Sequence, residues 1–231
     1  MKKIILLSLF GIGAAFAQTT DSTIVFESPN QNISQPAKTI MDDAWGIDIL
    51  LSNNGFGLAG FYRHEFDREL SGTVTLGIAE SKDDNEVEYV DWYGQTFSPG
   101  KINRFLVIPL MAGVQYRLFA DDITDSFRPY LNAGAGPTMI LVHPYRDMNT
   151  GDQVEYFKSL GYAHPEYTLG GYVGIGAFFG SDMGSLSGVN VRYYFVPVSG
   201  GIQSLINADG TIGRKKDFGG FFITINLGSA F

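Results

Sequence analysis

Cysteine is absent from the chain. That excludes a disulfide framework, any thiolate metal or redox site, and lipid attachment at a cysteine following a signal peptide. Long apolar runs are also missing after the first residues. A transmembrane helix needs ~20 consecutive apolar residues, so no such helix is predicted. Basic charge is scarce, with 16 Lys and Arg against 24 Asp and Glu. An acidic surface of this kind repels phosphate backbones, and nucleic acid is not expected as a partner. Histidine occurs three times, which leaves little material for a metal centre.

What is present begins at the N-terminus. Met1-Lys2-Lys3 precedes an apolar run from Ile4 to Phe10, and small residues lead to Ala15-Phe16-Ala17. A short basic segment, a short apolar core and an A-x-A site make a secretory signal peptide. Cleavage is expected after Ala17. The exported chain then carries 14 basic against 24 acidic residues, a net charge of −10. Residues 18–43 are polar, hold Pro29 and Pro36, and read as a flexible periplasmic lead with a short helix near Ala37 to Asp43. The remainder, 44–231, is rich in glycine (29 of 231 residues in the whole chain), against a usual ~7%. Aromatic residues make up 14%. Glycine with aromatics and no cysteine points to β-structure with tight turns and filled interiors.

Eight segments alternate with period 2: 44–53, 56–66, 70–81, 102–119, 127–142, 167–180, 187–198 and 217–231. One face of each is apolar, such as Trp45, Ile47, Ile49 and Leu51 in the first. The other faces gather Asp48, Arg63, Glu65, Thr73, Thr75, Gln115, Arg117, Asn132, Arg192 and Asn226, with many glycines leaving room for Tyr172 and Tyr194. Turns after the second, fourth and sixth segments are short. Those after the third, fifth and seventh are long, at about 82–101, 143–166 and 199–216, while the one after the first, Asn53-Asn54-Gly55, is a short exception. An up-and-down barrel sorts its connections in this way, with short turns at the periplasm and long loops outside. A Greek-key sandwich has no reason to do so.

The fold class expected is therefore all-β: an eight-stranded antiparallel up-and-down transmembrane β-barrel. Every segment is long enough to cross a bilayer, which takes ~9–11 residues per strand. A closed sheet pairs every backbone group, as hydrocarbon demands. A soluble barrel would place the apolar faces inside; here the inferred inner face is polar. Trp45, Phe66, Tyr116, Phe195 and Phe221 sit near strand ends, where rings form interface girdles. Pro109 and Pro137 fall inside segments paired on both sides, and each removes a ladder donor, so each marks a bulge or a strand end.

The sequence resembles small bacterial outer-membrane β-barrels of the OmpA-transmembrane-domain, OmpX and OmpW kind over about 44–231. The residues that carry the likeness are the signal peptide, the ending FGGFFITINLGSAF from Phe218 to Phe231, and the strand FRPYLNAGAGP from Phe127 to Pro137. In such proteins a terminal Phe after an alternating strand is the signal read by the outer-membrane assembly machinery. The resemblance implies that role for Phe231, with Ser229 departing from the apolar alternation. It also implies a monomer in the outer membrane of a Gram-negative cell, in contact with outer-membrane lipids and lipopolysaccharide. No peptidoglycan-binding domain follows the barrel, so an anchoring role is not expected to carry over.

Residues with chemical potential are few. His64 reads as a girdle residue on the outer face. His143 and His164 flank the second long loop and draw near each other if it turns at Asn149-Thr150-Gly151-Asp152. With Asp147, Asp152 or Glu155 they would make a metal site, but no known spacing supports one. His164 with Ser159 is the only candidate for a lipid-modifying hydrolase at the outer rim. Asp83, Asp84, Glu86, Glu88 and Asp91 make an acidic loop lacking the pattern of a calcium loop. It reads as solvated, or as a contact for the divalent cations that bridge outer-leaflet lipid. No catalytic residue, metal site or cofactor is assigned.

The sharper expectation is structural. Asp48 and Arg192 lie at mid-lumen on the first and seventh strands, separated only by the eighth, and buried charges require partners. An ion pair or short polar network is expected there, joined in the lumen by Arg63, Glu65 and Arg117. The function expected is a barrel with a polar, side-chain-filled lumen that displays long loops to the exterior and is not an enzyme. The alternatives are a narrow OmpW-like pore for small or hydrophobic molecules and, more remotely, a lipid-modifying outer-membrane hydrolase.

Overall fold

The computed structural model describes residues 43–231, apart from 54, 95, 121, 124–125, 148–149, 181–183 and 208. The expected signal peptide and the lead up to residue 42 lie outside the described residues. The helix expected near Ala37 does too, except for its last residue, and Asp43 opens the first strand instead.

Eight long strands close on themselves. They are β1 (Asp43–Ser52), β2 (Gly55–Glu65), β3 (Leu70–Ser81), β6 (Asn103–Arg117), β7 (Phe127–Pro144), β8 (His164–Phe179), β9 (Ser185–Phe195) and β12 (Gly220–Ala230). Each pairs antiparallel with its neighbour along the chain, and β12 returns to β1 through pairs such as Asp48 with Asn226. No barrel strand is left as an edge. Between them lie the two-residue strands β4 (Tyr89–Val90) and β5 (Thr96–Phe97), the helical turn α1 (Tyr156–Leu160), and β10 (Pro197–Ile206) with β11 (Ile212–Asp217).

Alternation decides which way each side chain points. Ile47, Leu58, Leu76, Leu110, Val173 and Ile223 are among the outward residues, and all are more than 40% exposed. Monomeric soluble proteins rarely expose contiguous apolar patches beyond a few hundred Å². Here the exposed apolar band runs around the whole wall. A band of that kind is stable only in hydrocarbon. Trp45, Phe66 and Tyr116 ring the short-turn end, and Phe195 and Phe221 the long-loop end, all exposed.

The two prolines sit where pairing lapses. The β3–β6 ladder skips Gly77–Ile78 opposite Ile108–Pro109 and resumes in the same register. The β6–β7 ladder likewise skips Leu110–Met111 opposite Gly136–Pro137 and resumes in the same register. The strands continue past both irregularities, so the prolines mark local breaks within strands, not strand ends.

The third long loop differs from its expectation. Most of 199–216 is a β-hairpin, β10 with β11. Gly200 and Gly201 both have positive φ (77° and 66°), a conformation in which a side chain is strained. Arg214 donates to both of their carbonyls at 2.7 Å, which fixes the bend. The bend lets the hairpin lie across the barrel mouth. It reaches from the end of β9 to the segment before β6, three strands away around the barrel. There Ile102 N–H donates to the Ser204 carbonyl (2.9 Å) and Ile206 N–H to the Gly100 carbonyl (2.7 Å).

Candidate functional site

The lumen is the one place where side chains from all the barrel strands converge. At its middle Arg192 on β9 donates from Nη1 to Asp48 Oδ2 on β1 at 2.9 Å, across the intervening β12. Asp48 is fully buried. Its other oxygen accepts from Asn226 Nδ2. Asn190 Nδ2 donates to Asn226 Oδ1 (3.2 Å) and to the Tyr130 hydroxyl (3.1 Å). Arg192 also reaches the Tyr194 hydroxyl (3.3 Å) and lies 5.2 Å over the Tyr172 ring. Hydrogen bonds thus join four strands in one connected polar layer, with Tyr172 of a fifth stacked against it, and low dielectric strengthens each bond.

Toward the short-turn end a second ion pair joins Arg63 Nη2 to Glu65 Oε1 at 2.9 Å. Arg117 is partly buried on the same inner face, within electrostatic reach of Arg63. The five residues expected to share one network therefore fall into two groups. Phe178 separates them: the Arg63 guanidinium lies 5.2 Å from its ring centre, and Tyr130 stacks on it at 4.7 Å.

The glycines explain how large rings fit in so narrow a bore. A Cβ on Gly134 would lie 2.6 Å from the Tyr172 ring, and one on Gly176 would lie 2.8 Å from the Tyr130 ring. The sequence pattern foresaw room for Tyr172. It missed the use of that room by Tyr130.

The outer half of the lumen corrects the expectation of a polar interior. Leu50, Val107, Met111, Ile140, Val142 and Phe222 fill it, all buried on inner faces. Tyr194, Val196, Phe218 and Ile202 close the layer beneath the hairpin. The space left beside Pro109 is a cavity of about 30 Å³, lined by Leu50, Met111, Tyr194 and Phe222 among others. That is the room of a single water molecule.

At the mouth, Asp217 holds the base of the hairpin. Its Oδ1 accepts from the backbone N–H of Val196 (3.0 Å) and of Gly219 (2.9 Å). The acidic loop uses most of its carboxylates internally. Glu86 takes Lys101 and the Ser98 hydroxyl, and Glu88 takes Lys82 at 2.6 Å. The Lys82 ammonium holds the Glu88 carboxyl below the usual range. Asp83 and Asp91 cap turns at the backbone N–H of Asn85 and Tyr93. No group of three metal-ligating side chains occurs among the described residues.

The three histidines separate. His64 sits at the short-turn end, with Nδ1 2.6 Å from Asp43 Oδ1 and its ring edge-on to Phe66. His164 pairs with Val142 across the ladder, and the Ser159 hydroxyl finds other partners among the described residues. The serine meets His143 instead, at 2.8 Å from Nδ1. This corrects the expected His164–Ser159 pairing. Ser159 is fully buried, and its hydroxyl donates to the Tyr156 carbonyl at 2.6 Å. The hydroxyl proton is thereby committed to a backbone acceptor. His143 Nε2 is buried without a hydrogen-bond partner among the described residues, so no third group orients the ring. A hydrolytic nucleophile needs the reverse: an exposed hydroxyl, a base to take its proton and a group to orient the base. Burial, with Glu80 beside it, pushes the Tyr156 hydroxyl up to about 12, so it stays protonated.

Phe231, expected as an assembly signal, is exposed at the short-turn end. Its N–H donates to the Asp43 carbonyl at 2.9 Å, which ties the two ends of the described chain together.

No protein-family model matches the sequence, and no curated protein matches it. Solved structures do match in form. Neisserial surface protein A shares 12% identity at a TM-score of 0.42, over 81% of this chain and 91% of that one. The outer membrane protein OprG of Pseudomonas aeruginosa shares 13% at 0.42, over 82% and 94%. Ail, the attachment invasion locus protein of Yersinia pestis, shares 14% at 0.40, over 81% and 94%. At these identities and scores the likeness is one of general form, and the eight-stranded barrel stands on the chain's own strand pairing.

Proposed function

We propose that the protein is an integral outer-membrane barrel whose closed lumen serves as a rigid post for the structured loops at its long-loop end. The observation that carries this reading is the filling of the bore. A buried ion-pair layer at mid-height, an apolar layer above it and a hairpin across the mouth support a bore closed to ions. Export by the signal peptide at 1–17 and assembly through Phe231 belong to the same proposal. So does the orientation, with short turns in the periplasm and the loops 82–101, 145–163 and 196–219 outside.

The absence of native cysteine makes the orientation easy to test. Single substitutions W92C, in the first long loop, and R68C, in a short turn, are labelled with a membrane-impermeant maleimide on intact cells. Labelling of W92C alone supports the reading, and labelling of R68C alone overturns the orientation.

A second reading, a narrow pore for small hydrophobic molecules, draws on one observation. The break in β3–β6 pairing at Pro109 lies beside the apolar cavity. At about 30 Å³ that cavity is far below the ~300–1,000 Å³ of ordinary ligand pockets. The closed-barrel reading is preferred for that reason.

A further inference from the structure

β7 buries a histidine on the outside of the barrel. By alternation Leu131, Ala133, Pro137 and His143 share its outer face. The first three are exposed, and His143 is buried. The cover is α1. Ser159 of α1 meets His143 Nδ1, and the Tyr156 ring stands edge-on to the imidazole at 5.2 Å. Arg104, which faces His143 across the ladder, donates to the Val154 carbonyl at 3.0 Å. Its guanidinium lies 5.5 Å from the Tyr156 ring centre. So α1 is fastened to the outer wall and does not fold over the mouth.

The exposed side of this segment continues the lipid-facing band. Phe157 on α1 is 78% exposed and Tyr162 just after it 65%. Below them on the outer face of β8 come Tyr167 and Leu169, 73% and 74% exposed, and then Val173 and Ile175. His143 is four residues beyond Met139, the ladder partner of Tyr167. At the rise and tilt of barrel strands that is about 10 Å further toward the long-loop end. Lys158 stands next to Phe157.

We infer that α1 is an interfacial foot: it rests on the outer leaflet with Phe157 and Tyr162 at the headgroup boundary and Lys158 facing lipid phosphate. Aromatic rings with a basic neighbour favour that boundary. The clamp has a physical reason as well. If α1 lifted away, the outer wall would present His143 and Arg104 with their partners removed, close above hydrocarbon. The inference rests on the membrane-spanning reading of the barrel.

The test uses the full chain with its two native tryptophans replaced (W45F, W92F) and one reporter added. The reporter is F157W or, as a control within the lipid band, V173W. Each protein is inserted into phosphatidylcholine–phosphatidylglycerol vesicles whose chains carry bromine either near the carbonyl end or near the terminus. The foot predicts blue-shifted F157W emission, quenched most by bromine near the carbonyl end. Adding H143A releases α1 and should shift F157W emission to the red with loss of quenching, while V173W stays quenched and reports an intact barrel. Water-like, unquenched F157W beside quenched V173W overturns the foot and leaves the membrane reading standing. F157W quenching that H143A does not change overturns the clamp. If neither reporter is quenched, the membrane reading falls and the foot with it.

Discussion

Asp48 holds its charge at the centre of the barrel with no access to water, and it does so because Arg192 and Asn226 surround it. The attraction between such partners does little more than offset the cost of removing both from water. Removing one partner is another matter, because the survivor is stranded. D48A leaves Arg192 buried and should destabilise the barrel by about 3–5 kcal/mol, read as a lower urea midpoint in vesicles. The pair replacement D48L/R192M should recover most of that loss, since an apolar pair of similar volume is tolerated in such a site. If D48A alone is neutral, the ion pair does not hold the lumen together. Alternation along β1 and β9 was enough to place both charges inside. It did not reveal Asn190 and Tyr130 as members of the layer, because no single strand's pattern says which inner residues meet across three strands. Nor could it tell that Arg63 and Glu65 form a separate pair, since that depends on where the Phe178 ring falls between them.

Among the elements, the eight barrel strands were legible because each alternates over ten residues or more. Their ends were less so, by up to three residues, as at His164. The β10–β11 hairpin was missed because its strands are interrupted by Gly200 and Gly201 and carry mixed polar and apolar residues. Its inner side packs on the apolar layer of the mouth through Ile202, with Val198 against it. α1 is too short to show helical periodicity, and the contact that fixes it, His143 with Ser159, joins residues whose nearness depends on how the loop folds back. The hairpin makes a prediction of its own. Asp217 bonds two backbone N–H groups at its base, and bonds to a charged group contribute ~1.5–3 kcal/mol each. D217A should therefore raise protease cleavage within 197–217 while leaving the slow-to-unfold barrel band on a gel unchanged. Cleavage at the wild-type rate would mean that the Gly100 and Ser204 backbone bonds hold the hairpin without Asp217.

For the whole molecule, the sequence carried the architecture and much less of the interior. The outer faces announce lipid because every strand must meet the same solvent, so the signal repeats eight times. The inner faces meet one another instead, and each height in the bore has its own composition: charged at the bottom and middle, apolar above. Leu50, Val107 and Phe222 stand on faces that also hold Asp48, Gln115 and Asn226, so a reading by faces averaged two layers into one polar lumen. The apolar upper layer strengthens the closure, since water and ions crossing it would have to leave their hydration behind.

That closure is the centre of the account, and ion conduction tests it most directly. Full-length protein reconstituted in planar bilayers should insert without steady current steps in potassium chloride at either polarity. Stable, ohmic single-channel steps from the wild-type chain would contradict it, because no such current can pass a bore sealed by the Asp48–Arg192 layer and the apolar layer above it.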